Sequence, residues 1–380
     1  MELKEYRFDE VTINFDKKRV PLSGAQREKR QGNFRYYGAQ GVIDHIDDFI
    51  FDGTYLLIAE DGENLKSKKQ NIAQVVEGQF WVNNHAHIVQ GNELCNTRYL
   101  CYLLNSMDLS GYVTGSAQPK LSQANLNAVT LFLPSITVQE RIVECLYLFD
   151  KKIAVNQKIN DNLQQQAYAY FLQLFIENAD PSWRVGKIAD LGTVVGGGTP
   201  SKAKPEYYTD DGIAWITPKD LSIDKSKFIA HGENDISELG YRNSSATMMP
   251  VGTVLFSSRA PIGYIAIASN EVTTNQGFKS VVPHPEIGTP FVYYFLIHDL
   301  PLIESKASGS TFKEVSGSVM KSVEAVIPDG NTIAKFNDFC RPVFEMQEKL
   351  EQENRKLAAM RDSLLPRLMS GEIDVADIGI

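Results

Sequence analysis

The chain has 380 residues, 43% of them hydrophobic and 22% charged, the balance of a soluble globular protein and too long for one ordinary core. Its formal net charge of −9 excludes a uniform polycation that wraps nucleic acid by bulk charge, although a local basic face is compatible with it. No apolar run is long enough to suggest a membrane span, and the polar start Met1-Glu-Leu-Lys-Glu argues against a signal peptide. Cys95, Cys101, Cys145 and Cys340 are scattered with no Cys-x-x-Cys, which points away from a zinc ribbon or disulfide scaffold and toward the cytoplasm.

In chain order, the same blocks come twice. Tyr6-Arg-Phe-Asp-Glu-Val returns as Trp183-Arg-Val-Gly-Lys-Ile, and Gly53-Thr-Tyr-Leu-Leu as Gly252-Thr-Val-Leu-Phe. Thr97-Arg-Tyr-Leu-Cys-Tyr-Leu-Leu returns as Thr289-Pro-Phe-Val-Tyr-Tyr-Phe-Leu, and the stretch from Gly115 to Pro134 returns without gaps from Gly309 to Pro328. Recurrence in the same order, with slowly drifting offsets, implies a tandem duplication. Each copy opens on mixed strand and loop: 49–59 and 252–258 read as buried strands, Val281 as part of another, and 97–107 and 289–298 as short helices.

After Pro134 and Pro328 helical spacing takes over. Ile142, Leu146, Phe149, Ile153 and Leu163 form one stripe; Phe336, Phe339, Val343, Met346, Leu350 and Leu357 form the other, continued at Leu364. Two helices of about 35 to 43 residues would reach roughly 55 to 65 Å, longer than a globular core uses. Asn156 and Asn160 interrupt the first stripe, either as polar seam residues that fix register or as part of a solvated face. The expected class is α+β: two similar mixed α/β domains, 1–135 and 180–328, separated by two long antiparallel coiled-coil helices, 136–179 and 329–380, with an internal pseudo-two-fold. No part is basic overall, so any nucleic-acid face must be built from selected clusters.

Enzyme signatures are missing where they would be easiest to see. Gly196-Gly-Gly-Thr-Pro-Ser lacks the Lys-[Ser/Thr] of a phosphate loop, and neither an amino-methyltransferase motif nor a Gly-x-Ser-x-Gly elbow occurs. His85 and His87 would share one strand face as a possible metal pair, with no third ligand nearby in sequence. Glu60-Asp61 with Glu63 and Lys66 is only a faint likeness of a nuclease cluster and reads better as a solvated turn.

The organisation resembles the DNA-specificity subunit of type I restriction–modification enzymes over essentially the whole chain. The most specific stretch is Gly197-Gly-Thr-Pro-Ser201, Tyr207-Tyr208 and Gly212-Ile-Ala-Trp-Ile-Thr-Pro-Lys-Asp-Leu221, continued by Arg259-Ala-Pro-Ile-Gly263 and Thr274-Asn-Gln-Gly277. Tyr36-Tyr-Gly-Ala-Gln-Gly41 and Phe51-Asp-Gly53 resemble the other common version of the recognition domain, and Leu364-Leu-Pro-Arg-Leu-Met-Ser-Gly-Glu-Ile373 resembles the family's terminal helix end. The resemblance implies a non-catalytic subunit whose two target recognition domains each read one half of a split, asymmetric site in double-stranded DNA. It implies helices that set the gap, two modification subunits that methylate adenine, and restriction subunits that translocate and cleave. S-adenosylmethionine, ATP and Mg would belong to those partners, and this chain would hold no cofactor. A helical scaffold protein and a metal-dependent nuclease remain the competing readings.

Base readout needs Arg or Lys for guanine and Asn or Gln for adenine, whereas phosphate contacts only position the protein. In the first domain the candidates are Arg30, Arg35, Tyr36, Gln40, Lys66, Lys68 and Lys69; in the second they are Lys202, Thr217, Lys219, Arg259 and Gln276.

Overall fold

The protein is described from a computed structural model covering residues 2–67, 70–115, 118–309, 313–373 and 375. Its contacts divide it into two compact units. One takes the chain up to Ile153 together with the segment from Lys356; the other is Ala154–Arg355. Each unit therefore owns a stretch of both long helices, which run Ile136–Leu172 and Gly330–Ser370.

The first unit is built on a six-stranded mixed sheet. Phe51–Ala59 is a central strand, antiparallel to Ala73–Val82 on one side and to Ala86–Gly91 on the other. Leu56, Leu57, Ile58 and Ala59 are consecutive and all buried, so both faces of this strand are covered. The helix Thr97–Ser106 starts on Asn96, whose side chain accepts from the backbone of Arg98 and Tyr99. It buries Tyr99, Leu100 and Leu104 in a core shared with Ile142, Leu146 and Leu368 of the long helices.

The second unit repeats this plan with different sheets, one of five strands and one of four. Val254–Ser258 is again buried throughout, and Thr289–His298 corresponds to the helix of the first unit. In both units an antiparallel strand pair leads into the long helix: Lys4–Arg7 with Thr130–Leu133, and Arg184–Lys187 with Glu324–Ile327. The second core is aromatic, with Phe171, Phe175, Phe291, Tyr294 and Phe336 in mutual ring contact.

Inside each unit the two helical segments run antiparallel. In the second, Asn156 meets Glu353 and Asn354, Asn160 meets Glu351, and Tyr170 meets Phe336 and Phe339. In the first, Asp150 holds Arg361 at 2.6 Å. Asn156 is fully buried, so it belongs to the seam and not to a solvated face. Ile142, Leu146, Phe336 and Leu350 are buried as the spacing predicts, while Phe149, Ile153, Leu163, Val343 and Leu357 are half-buried.

One seam position needs correcting, Met346; Phe339 is partly exposed but keeps its ring against Tyr170 of the other helix. Phe339 is 39% and Met346 49% exposed, whereas Cys340 and Gln347, each one residue further on, are buried. The reason lies in Lys227. Its side-chain nitrogen enters the helix pair and donates to Gln164 Oε1 at 3.0 Å and Gln347 Oε1 at 2.8 Å, with the Tyr294 hydroxyl 3.3 Å away. Glu351 meanwhile accepts from the backbone nitrogens of Lys227 and Phe228. The buried stripe Phe336, Cys340, Phe344, Gln347 and Glu351 thus faces the globular part, and polar residues occupy it because polar partners wait there. Burial among aromatic rings, with the Phe344 ring centroid at 3.4 Å, pushes the Lys227 side chain down to about 6.

Candidate nucleic-acid interface

In the second unit, two Gly/Pro-rich loops and the turn after a buried strand converge on a cleft of about 510 Å³. Lys202, Thr217, Lys219, Arg259 and Gln276, the residues expected there from sequence, all line it. Thr217, Lys219, Arg259 and Gln276 are each held by a specific partner. Thr217 precedes the helix Pro218–Ile223 in a capping box: Asp220 Oδ2 accepts from the Thr217 amide at 2.7 Å and from its hydroxyl at 2.6 Å. The other oxygen of Asp220 accepts from the Glu233 amide at 2.8 Å, which ties the facing loop to the same carboxylate. Thr217 therefore braces the cleft, its hydroxyl proton committed to Asp220.

Lys219 and Glu233 are ion-paired across the opening. Gln276 is exposed and accepts from the Thr199 hydroxyl, so the Gly-Gly-Thr-Pro loop and the Asn-Gln-Gly loop are pinned together. Trp215, buried, closes the floor and donates to the Gly198 carbonyl at 3.0 Å. Gly198 has no room for a side chain, since a Cβ there would lie 2.4 Å from the backbone of Ala246. Lys202 is exposed and has no ion-pair partner among the described residues. The cleft offers guanidinium, ammonium and carboxamide groups on rigid loops, a chemistry suited to phosphates and base edges.

Asp220 and Asn275 stand inside the sequence motifs but are not among the residues expected at the site, and Glu233 is in neither. The Thr217-x-x-Asp220 capping pattern is a usable signal for Asp220 and the Thr274-Asn-Gln-Gly277 stretch for Asn275; nothing local marks Glu233.

The first unit presents its candidates differently. Tyr36 is fully buried: its hydroxyl accepts from the Leu22 amide at 2.8 Å and the Arg27 guanidinium lies over its ring, so it is a core residue and not a DNA contact. Arg30 pairs with Asp47 at 2.9 Å and Asp48 at 3.5 Å and stacks over Trp81. Arg35 donates to the Glu77 carbonyl at 2.6 Å. Gln40, in the turn between the strands Gln31–Gly38 and Gly41–Ile46, donates to Asn64 at 3.4 Å, and Lys66 of the short helix Asn64–Ser67 donates to the Gly115 carbonyl at 2.8 Å. Lys68 and Lys69 lie outside the described residues.

His85 and His87 do not form a ligand pair. His87 is buried with Nδ1 2.6 Å from Asp16 and Nε2 2.8 Å from the Leu121 carbonyl, so both nitrogens are occupied, while His85 bonds Asp61 at 2.7 Å. The Asp16 carboxyl, which burial alone would raise, is held below its usual range by hydrogen bonds from His87 and the Ile88 amide and by the charge of Arg19.

Comparison with known proteins decides the family. The domain described as type I restriction modification DNA specificity domain matches twice, over residues 2–165 and 181–353. The chain belongs to that family. The HindI specificity subunit of Haemophilus influenzae is 24% identical over 85% of this chain and 84% of its own length. The MjaIX specificity subunit of Methanocaldococcus jannaschii is 37% identical over 50% of this chain and 44% of its own length. The chain spans about half the length of two of the curated relatives it matches, the MjaIX subunit being one of them. Among solved structures, the S subunit of a type I restriction–modification system from M. genitalium has the same fold, with TM-score 0.59 and 14% identity over 97% of this chain and 96% of that one. No helix of the described residues is long and apolar enough to cross a membrane.

Proposed function

We propose that this chain is the non-catalytic, DNA-reading component of a type I restriction–modification complex. Its two recognition domains, 1–135 and 180–328, each read one half of a bipartite, asymmetric site. The long helices act as an antiparallel coiled coil with a pseudo-two-fold, set the gap between the half-sites and dock two modification subunits. S-adenosylmethionine, ATP and Mg belong to the modification and restriction subunits. The observation that carries this reading is the cleft of the second unit, which gathers Lys202, Lys219, Arg259 and Gln276 on loops and a short helix. The different first unit supports two unlike half-sites, since its sheet order and its cation partners are not those of the second.

The test is to co-express the chain with a modification subunit and map methylated adenines in the host genome. A split motif that disappears when the chain is omitted is the expected result. Methylation that is unsplit, or indifferent to the chain, refutes the proposal.

A further inference from the structure

The turn that follows the strand Val254–Ser258 is tied from every side. Ser258 donates its amide to the Gly277 carbonyl at 2.7 Å, and its carbonyl accepts from the Val315 amide at 3.0 Å. The Ser257 hydroxyl donates to the Pro261 carbonyl at 2.9 Å and accepts from the Tyr264 amide at 2.8 Å. Between these anchors stands Arg259, whose side chain reaches the cleft. Glu314 comes from a separate loop, itself fixed by reciprocal backbone bonds with Ser308 at 3.0 and 2.9 Å. One oxygen of Glu314 faces Arg259 Nη1 at 3.4 Å and the other faces Lys279 Nζ at 3.5 Å. Lys279 is the more enclosed of the two cations, with 16% of its side chain exposed against 36% for Arg259.

Lys279 thus holds the carboxylate, the carboxylate holds one corner of the guanidinium, and the remaining N–H groups of that planar fork are left for the cleft. A fork of fixed orientation is what bidentate contact with guanine O6 and N7 requires. Lys202 and Lys219 are compact charges on flexible stems and suit phosphates instead.

The first unit makes the contrast. The loop that corresponds to Glu314 carries Lys120, fixed by the same reciprocal bonds, here with Thr114 at 2.8 Å. Lys120 pairs at 3.3 Å with Glu60, which follows the equivalent strand and is neutralised again by Arg19 at 2.9 Å. The brace is kept and its polarity is reversed, with the carboxylate of Glu60 where the second unit has the guanidinium of Arg259.

We propose that Arg259 is the guanine-reading side chain of the second recognition domain and that Glu314 is the residue that positions it. This rests on the DNA-reading function proposed above. The experiment is selection of bound sequences from a random duplex pool by the full chain, as wild type and as Arg259→Lys, Arg259→Met and Glu314→Gln. Circular dichroism confirms that each variant is folded, and Arg259→Lys keeps the charge should Arg259→Met fail to fold.

The wild-type consensus is expected to contain a guanine whose preference falls roughly tenfold to hundredfold in both Arg259 variants, while other positions hold. Glu314→Gln should weaken the same position and no other, an effect that general loosening of the fold would not produce. If Arg259→Lys leaves every base preference intact, or Arg259→Met weakens all sequences uniformly and only lowers the salt dependence, Arg259 is a phosphate contact and the inference fails. An unchanged guanine preference in Glu314→Gln overturns the positioning role. A wild-type chain that selects no consensus at all overturns the DNA-reading function and this inference with it.

Discussion

Lys227 is the residue whose replacement should be most revealing about how the second unit is held to its helices. In water a lysine is protonated up to about pH 10.4. Here the side chain is buried and pushed down to about 6. The surroundings suit the neutral amine: Gln164 and Gln347 supply two acceptors for its two N–H groups, and the Tyr294 hydroxyl lies at 3.3 Å from the nitrogen. A base whose folded value lies below its unfolded value makes the unfolded chain bind the extra proton. Stability must then rise with pH throughout the window between the two values, here from about 6 to 10.5. At roughly 1.4 kcal/mol per pH unit, raising the pH from 7 to 9 adds on the order of 3 kcal/mol from this one group. Neighbouring groups do not mimic the effect. Burial raises Tyr293, Tyr294 and Cys340, the thiol to about 12, and Glu351 is retained in the variant. The perturbation is Lys227→Met, which keeps the apolar stem and removes the titrating nitrogen. Urea unfolding followed by tryptophan fluorescence, to which Trp183 and Trp215 of this unit contribute, measures both proteins at pH 7, 8 and 9. The wild type should gain stability with pH and the variant should not, so that the variant falls progressively behind. Parallel profiles would mean that Lys227 stays protonated in the fold and would refute the argument.

The corresponding anchor of the first unit is ionic: Tyr102 donates to Asp150, and Asp150 holds Arg361. Asp150→Asn should destabilise that unit by roughly 1–2 kcal/mol, read as a lower denaturant midpoint, because it removes the charge that Tyr102 and Arg361 share and leaves the half-buried guanidinium with Asp362 alone. Asp16 has a lowered folded value, so its stabilisation is present above its unfolded value near ~3.9 and is lost as pH falls through the lower one. Asp16→Asn should therefore cost stability at neutral pH and flatten the acid limb below about pH 4 in unfolding measured against pH. Removing matched turns from both long helices, near Asn156 to Asn160 and the facing part of Glu345 to Arg355, takes out about 5.4 Å per turn, comparable with one or two base pairs. The methylation motif of that variant should keep its half-sites and shorten its gap; an unchanged gap in an active variant would show that the helices are not the ruler.

The elements legible in the sequence were those whose signals are local or repeated. The central strands and the helices after Asn96 and Gly288 follow from apolar runs and from blocks that occur twice. The two-residue strands Tyr208–Thr209, Phe228–Ile229 and Thr273–Thr274 exist only because distant partners complete them, and no pattern that short is readable. The seam misreading has a related cause. Spacing alone preferred the apolar Met346 to its polar neighbour Gln347, yet Gln347 is buried because Lys227, 120 residues earlier in the chain, supplies its partner.

Site residues divide along the same line. In the second unit Lys202, Arg259 and Gln276 sit on loops and Lys219 on a short helix, outside the sheet ladders, and they converge on one cleft. In the first unit the candidates Arg30, Arg35 and Tyr36 lie within or beside one strand, Gln31–Gly38, where the sheet itself uses them: Tyr36 points inward, and the two arginines are bound by Asp47, Asp48 and the Glu77 carbonyl. A residue type suited to DNA is therefore a better guide on a loop than on a strand. On a strand, ladder and core compete for the same groups, and the burial of Tyr36 shows the core prevailing.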